Sequence, residues 1–403
     1  MHTALKRCGA AFNHCANSRQ KEQGQGYLKA LLLTPGRRSA TSLAQVSGAD
    51  PQAVRHFLAD STFDEQKTLR YLAHLAEERL KPSAWIIDDT GQAKQGKRSP
   101  GVKRQYSGTL GKIGNCQVAV SLDLACKERS TATNWRLFYP KRSPGAPKEH
   151  QTKTVLALEM IAEAREWGLR PQPVLADIAY GNDSGFRADL DKLGFEYLVE
   201  VNGSLVARRA DQEAKCLPKT EVGRPSKALY RTPTRTLASL SRGRLFQAIP
   251  GQRSTFLALR VRLAPRGSNA PSESVWLLVE RRRNGRRKHY LSNLPESTPL
   301  KRLAALAGLR WRIECDYRDA KQLAGLSHYQ GRSARGLARH RAIASLAHFL
   351  LTLIALERDE SLYQAAGLIK PLLVRIVGRC PTCGRRASRA SPSSAECQGG
   401  EEK

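Results

Sequence analysis

Acidic residues are in short supply in this chain of 403 residues. Asp plus Glu total 36 against 67 Lys plus Arg, a formal net charge of +31. The excess is spread along the chain rather than gathered in one tail. A compact fold tolerates such self-repulsion best when a polyanion neutralises it in use, and nucleic acid is the first candidate. Long apolar runs are missing too. The longest, residues 346–356, is too short to span a bilayer and contains His348 and Thr352. The opening MHTALKRCGAAFNHC lacks the continuous apolar segment of a signal peptide. The expectation is a cytoplasmic protein with no membrane contact. A disulfide framework is also missing. Nine cysteines, an odd number and mostly isolated, suit a reducing cytosol. One pair stands close, Cys380 and Cys383. A tetrahedral zinc needs four ligands, and only Cys397 lies nearby, so a solvated basic tail is expected there rather than a zinc site.

Hydrophobic residues make up 40 % of the chain, enough for a real core. The length suits one large domain or two to three ordinary ones. Residues 26–82 read as helical. Within them, Leu43, Ala44 and Val46 form a short apolar face, residues 48–50 supply a turn, and Asp50 and Pro51 are placed as N-cap and first helical residue. Val54, Phe57 and Leu58 then face inward, leaving Arg55 and His56 outward. Such a helix-turn-helix could lay its second helix in a major groove, with Arg55 toward DNA. An ordinary helical hairpin fits the same pattern.

A short β-rich run at 84–88 changes the pattern and leads into Asp88-Asp89-Thr90-Gly91. A basic, glycine-rich loop follows at 94–115, carrying Lys94, Lys97, Arg98, Lys103, Arg104 and Lys112. Strands are expected at 116–124, 134–139, 174–177 and 196–201, with helices at 153–169 and 184–193. This order describes a mixed α/β layer. Residues 204–296 read as a β-rich insertion, with strands at 255–263 and 275–280 and a hairpin turning at Asn284-Gly285. Helices resume from 299 to about 357, followed by the basic tail, disordered after about residue 379. Trp135, Trp276 and Trp311 are expected in the core.

Asp89 and Asp177 each stand at the C-terminal end of an expected strand, where ligands of open α/β sheets collect. Two such carboxylates close together repel unless a cation lies between them. Mg²⁺ prefers oxygen ligands and is held by one or two carboxylates plus phosphate. For each acid alone, a solvated turn or a helix N-cap is the ordinary alternative. The run LRWRIECDYRDAK, residues 309–321, reads as a helix whose core stripe is Leu306, Leu309, Ile313, Tyr317, Ala320 and Ala324. Arg310, Glu314 and Lys321 border that stripe. A surface Arg–Glu pair is again the ordinary alternative.

Four segments in order, IDDTG (87–91), LGKIGNCQ (110–117), VLADIAYG (174–181) and LRWRIECDYRDAK, resemble the DDE transposases of bacterial insertion sequences. The branch is the one marked by a Tyr-Arg-Glu-Lys signature on its last catalytic helix, and the resemblance runs over about residues 26–357. It implies a ribonuclease-H-like α/β fold with a β-rich insertion, preceded by a helical DNA-binding region. In these terms residues 1–82 are the DNA-binding region and 83–203 the first part of the catalytic domain. The insertion is 204–296, the closing catalytic helices 297–357 and the tail 358–403. The resemblance makes Asp89, Asp177 and Glu314 the catalytic, metal-binding triad, choosing Asp89 over Asp88 because the family's acid directly precedes the Thr. Arg310 and Lys321 match the signature's DNA-contacting cations. The signature tyrosine departs, since Ala307 stands seven residues before Glu314. Implied partners and cofactors are double-stranded DNA, both terminal inverted repeats and target, and Mg²⁺, with Mn²⁺ able to replace it. A homodimer on DNA and a bacterial, nucleoid-associated location are implied as well. The activity implied is hydrolysis at the transposon end followed by strand transfer. A DNA-binding regulator that no longer cuts, and a nuclease that cuts without joining, remain the alternatives.

Overall fold

The computed structural model describes residues 1–212, 234–264, 273–382 and 385–386; Cys383 and Cys397 lie outside them. The chain opens on five helices: α1 (His2–Gly9), α2 (Ser18–Leu33), α3 (Ala40–Ser47), α4 (Pro51–Ala59) and α5 (Glu65–Leu80). Strands β1 (Ala84–Ala93), β2 (Lys103–Ser107), β3 (Lys112–Ala125) and β4 (Ser130–Phe138) follow, then α6 (Lys153–Glu166) and β5 (Val174–Ala176). Next come α7 (Ile178–Gly181), α8 (Ser184–Lys192), β6 (Tyr197–Val201), β7 (Val206–Arg209), β8 (Arg235–Thr236), α9 (Leu237–Leu240) and β9 (Gln247–Ala248). Strands β10 (Thr255–Leu263), β11 (Ser274–Arg281) and β12 (Arg287–Ser292) precede α10 (Leu300–Leu309), α11 (Arg312–Leu323), α12 (Ala334–Arg358) and α13 (Leu362–Val377). The mixed α/β class expected from sequence is the one that forms. Two compact units divide the chain: Met1–Pro82, Asp88–Leu169 and Arg312–Lys403 in the first, Ser83–Ile87 and Arg170–Trp311 in the second.

The first unit is built around α12. Helices α1, α2, α4, α5, α11 and α13 and strand β4 all pack on it. Helix α12 is the one helix among the described residues long and apolar enough to cross a membrane, but 89 % of that window is buried inside the fold. Its surroundings make it a core helix. The two helices and the turn between them form as read. Ser39 and Ser42 make a capping box, Gly48 ends α3 at φ +73°, and the Asp50 carboxylate accepts from Gln52 N and Ala53 N ahead of Pro51. The left-handed φ at 48 suits a residue without Cβ. Val54, Phe57 and Leu58 are buried while Arg55 and His56 are exposed. Strand β3 pairs antiparallel with β2 through its first residues and with β4 through the remainder.

In the second unit the buried Trp85, Ile86 and Ile87 of β1 pair in parallel with β5, and β5 pairs in parallel with β6. The sheet then continues antiparallel through β12, β11, β10, β7 and β8, with β9 also on β10. The hairpin turn at Asn284-Gly285 forms, with Gly285 at φ +79° and Arg282 N bonded to Arg286 O at 2.9 Å.

Several local expectations are corrected. Helices α1 and α2 begin well before residue 26. Strand β1 does not end at Asp89 but runs on to Ala93, because Thr90, Gly91 and Gln92 are buried and Lys94 N reaches Asn115 O at 3.0 Å. Part of the glycine-rich loop is a hairpin, β2 with the start of β3. The helix read through 309–321 is two helices, broken at Arg310 and Trp311. Apolar periodicity does not register so short a break, so the wheel that set Arg310 beside Glu314 assumed a phase the chain does not keep. Trp311 is 57 % exposed and Trp276 half-buried, and only Trp135 of the three is buried. Residues within the expected tail form α13, capped by a Ser361–Gln364 box and packed on α12.

Candidate active site and nucleic-acid interface

In the first unit, two acids lie side by side in the middle of β1. Asp88 and Asp89 are each half-buried, and successive side chains of a strand point to opposite faces. Asp89 Oδ2 lies 2.7 Å from the Nζ of Lys153, the first residue of α6, which also stands over the Phe138 ring at 5.5 Å. Asp88 accepts from Asp89 N at 2.7 Å, and its charge acts on Tyr317 and Lys321 of α11. Asp89 acts on Tyr317 as well, more weakly. Glu314 lies in the first turn of α11 and is exposed.

Helix α11 is held from below by a polar cluster that sequence reasoning missed. Tyr317 Oη lies 2.7 Å from Ser121 Oγ, which donates to Asp123 Oδ1 at 2.5 Å. Asp123, Trp135, Asp316, Tyr317, Ser345 and His348 share a cavity of about 10 Å³, roughly the space of one water. Asp123 Oδ2 and both Asp316 carboxyl oxygens have no protein partner. Burial pushes the Asp123 carboxyl up to about 7 against the pull of the Ser121 bond. Burial, then the neighbouring Asp123, raises Asp316 well above the usual carboxylate range. Nearby, the buried Arg341 lies 5.6 Å from the Trp135 ring centre, and burial brings its guanidinium down to about 10. The signal was available in part, since Asp316 is three residues from Ile313 and four from Ala320, on the buried side of its helix.

The expected DNA-contacting cations separate into groups. Lys103, Arg104 and Lys112 are exposed on the β2–β3 hairpin, and Lys97 and Arg98 are exposed just before it. Lys321 reaches that hairpin's turn, donating to Thr109 Oγ1 at 2.8 Å. Burial and the charge of Arg341 bring its ammonium down to about 8. Lys94 is spent internally. It donates to Tyr329 O at 2.7 Å, and burial brings it to about 8 as well. Arg55 is exposed on α4 and bonds Gln52 Oε1 at 3.3 Å.

In the second unit, Asp177 follows β5 and caps α7, its Oδ1 accepting from Ala179 N at 2.9 Å. Arg310 closes α10 in right-handed helical conformation. Arg281 of β11 and Arg287 of β12 are direct cross-strand partners. Their guanidiniums lie 4.6 and 5.3 Å from the centre of the Phe246 ring, next to Leu245, which is 91 % exposed.

Among the described residues no three His, Cys, Asp or Glu side chains are grouped to hold a metal ion. The donor chemistry itself fits a hard cation. Asp89, Asp177 and Glu314 offer only carboxylate oxygens, and Asp89 already holds one cation, the Lys153 ammonium.

A family model described as "DDE superfamily endonuclease" matches residues 11–260, more than half of the chain. The chain belongs to the DDE superfamily endonucleases. The matched span contains Asp88, Asp89, the β2–β3 hairpin and Asp177, while Glu314 and Lys321 lie beyond it. A relative described as "Probable transposase for insertion sequence element IS701", from Microchaete diplosiphon, is 27 % identical over 300 residues, covering 73 % of this chain and 72 % of the relative. A solved structure of the piggyBac transposase synaptic complex with hairpin DNA aligns with 93 % of this chain and 76 % of that chain, at 10 % identity and a TM-score of 0.46.

Proposed function

We propose that this endonuclease is the transposase of an insertion sequence, cutting phosphodiester bonds at the element's ends and joining the freed 3′ ends to target DNA. The observation that carries the reading is the family membership, taken with carboxylates on β1 and α11 beside a hairpin that bears only positive charge. The acids assigned are Asp89, Asp177 and Glu314, holding Mg²⁺ or Mn²⁺. When bound, such ions activate a water and stabilise the leaving oxygen. For Asp89 this requires Lys153 to give way. The exposed Lys97, Arg98, Lys103, Arg104 and Lys112 bind backbone phosphates, which positions the duplex without reading its sequence. Lys321, tied to the hairpin turn, and Arg310 at the end of α10 are further phosphate contacts in this reading. Helices α3 and α4 form a DNA-binding region that presents Arg55. Assembly as a homodimer on paired ends, in the bacterial cytoplasm at the nucleoid, completes it.

The test is incubation of the full chain with a duplex carrying the ends that flank its gene, with Mg²⁺ and a target plasmid. Cutting followed by plasmid joining is expected, and Asp177→Asn is expected to abolish both while leaving duplex binding in place. Binding without cutting under any divalent ion would return the protein to a regulatory role. Cutting without joining would leave a nuclease.

A further inference from the structure

The β2–β3 hairpin exposes apolar surface where a soluble ribbon has no need of it. Tyr106 and Ile113 are direct cross-strand partners and are 64 % and 58 % exposed. Cross-strand partners sit close enough to act as one patch. Arg104 stands two residues from Tyr106 and shares its face. Lys103 and Lys112 are exposed on the same ribbon. No acidic residue occurs between Asp89 and Asp123, so the partner this patch fits carries negative charge and flat apolar surface together.

The patch is also held in place. The turn closes through Leu110 N to Ser107 O at 3.0 Å and Gly111 N to Gly108 O at 3.2 Å. Gln105 Nε2 donates to Cys116 O at 3.0 Å and Lys103 Nζ to Lys141 O at 2.9 Å. At the turn, Thr109 Oγ1 receives Lys321 of α11 and lies 3.3 Å from Thr90 Oγ1. Thr90 directly follows Asp89, so the ribbon is moored to the strand and the helix that carry two of the assigned acids.

We propose that Tyr106, backed by Ile113, is a stacking platform for a nucleobase of the DNA end, holding the duplex open beside the phosphate that is cut. Nucleic acid is the partner that supplies both parts of the match. Phosphates neutralise Arg104 and Lys112, and a base offers a π-face to the phenol ring. Apolar and aromatic side chains flanked by cations enter and unstack duplex steps in this way. The inference rests on the endonuclease reading proposed above.

The experiment compares two Mg²⁺-dependent cleavage substrates, the fully paired end duplex and the same duplex with three mismatched pairs at the cleavage position. Full-length Tyr106→Ala is expected to cut the paired end about fivefold more slowly or worse, the lower end of what base–aromatic stacking carries per base. It is expected to cut the mismatched end at close to the wild-type rate, because that end is already open. Tyr106→Trp is expected to keep both activities, which separates stacking from folding. Equal slowing of Tyr106→Ala on both ends, or no slowing on either, overturns the platform. If the wild type cuts neither substrate, the endonuclease reading fails first and the platform with it.

Discussion

Lys153 Nζ stands 2.7 Å from Asp89 Oδ2, so the carboxylate assigned as the first metal ligand already holds a cation. Both side chains are largely buried, 30 % and 19 % exposed, and the geometry is that of a charge-assisted hydrogen bond. An incoming Mg²⁺ must compete with that ammonium. Replacing it by an uncharged chain of similar length, Lys153→Met, is expected to lower the Mg²⁺ concentration needed for half-maximal cleavage. The direction is read from a metal titration of end cutting. The neighbouring Asp88 supplies the control, because successive side chains of β1 point to opposite faces and the one paired with Lys153 is Asp89. Asp89→Asn is expected to abolish cutting and Asp88→Asn to slow it. The reverse ranking moves the first metal ligand to Asp88.

Arg281 and Arg287 face one another across β11 and β12, and both guanidiniums stand over the Phe246 ring. Like charges placed directly opposite on two strands repel, and the ring's π-face offsets part of that cost. A phosphate would offset more. Neutralising one partner, Arg287→Gln, is therefore expected to leave thermal stability unchanged or slightly raised. It is expected to weaken binding to any duplex and to lower the slope of log K against log salt by about 1. Affinity measured across a salt series checks both. An unchanged slope would remove this pair from the DNA contacts.

Local chemistry made much of this legible in advance. Asp50 with Pro51 announced the start of α4, and Asn284-Gly285 announced the hairpin, because caps and turns are written in adjacent residues. The strand and helix order of the mixed sheet followed from apolar periodicity. What escaped depended on distant partners. Residues 103–115 looked like a loop since glycine and lysine hide a strand pattern, yet β2 pairs with β3 along its length. Lys94 looked like its basic neighbours, but it donates to a carbonyl more than two hundred residues away, at Tyr329. Asp316 sat inside a charged run that masked its helical spacing from Ile313 and Ala320, and the packing of α11 over Ser121 and Asp123 buries it. The break at Arg310 and Trp311 escaped because the apolar spacing continues across it.

The buried carboxyls under α11 give the fold a pH dependence whose sign can be worked out. Asp123 is 1 % exposed, and burial raises its carboxyl from the ordinary 3.8 to about 7. The folded state therefore binds the proton more tightly than the unfolded chain. That contribution is intact below about pH 4 and is lost as pH climbs toward 7, by about 4 kcal/mol in all. Asp316 acts in the same direction. His348 opposes them. Burial lowers its imidazole to about 4, so its contribution is lost as pH falls below 6.5. Comparing a variant with the wild type at each pH isolates Asp123 from the histidine. Asp123→Asn keeps the shape, leaves an acceptor for Ser121 and cannot ionise. Its melting temperature relative to wild type is expected to rise steadily between pH 4 and 7 and then level off, gaining on the order of 5 °C. A difference that stays flat across that range would mean that Asp123 remains protonated, or ionised, throughout.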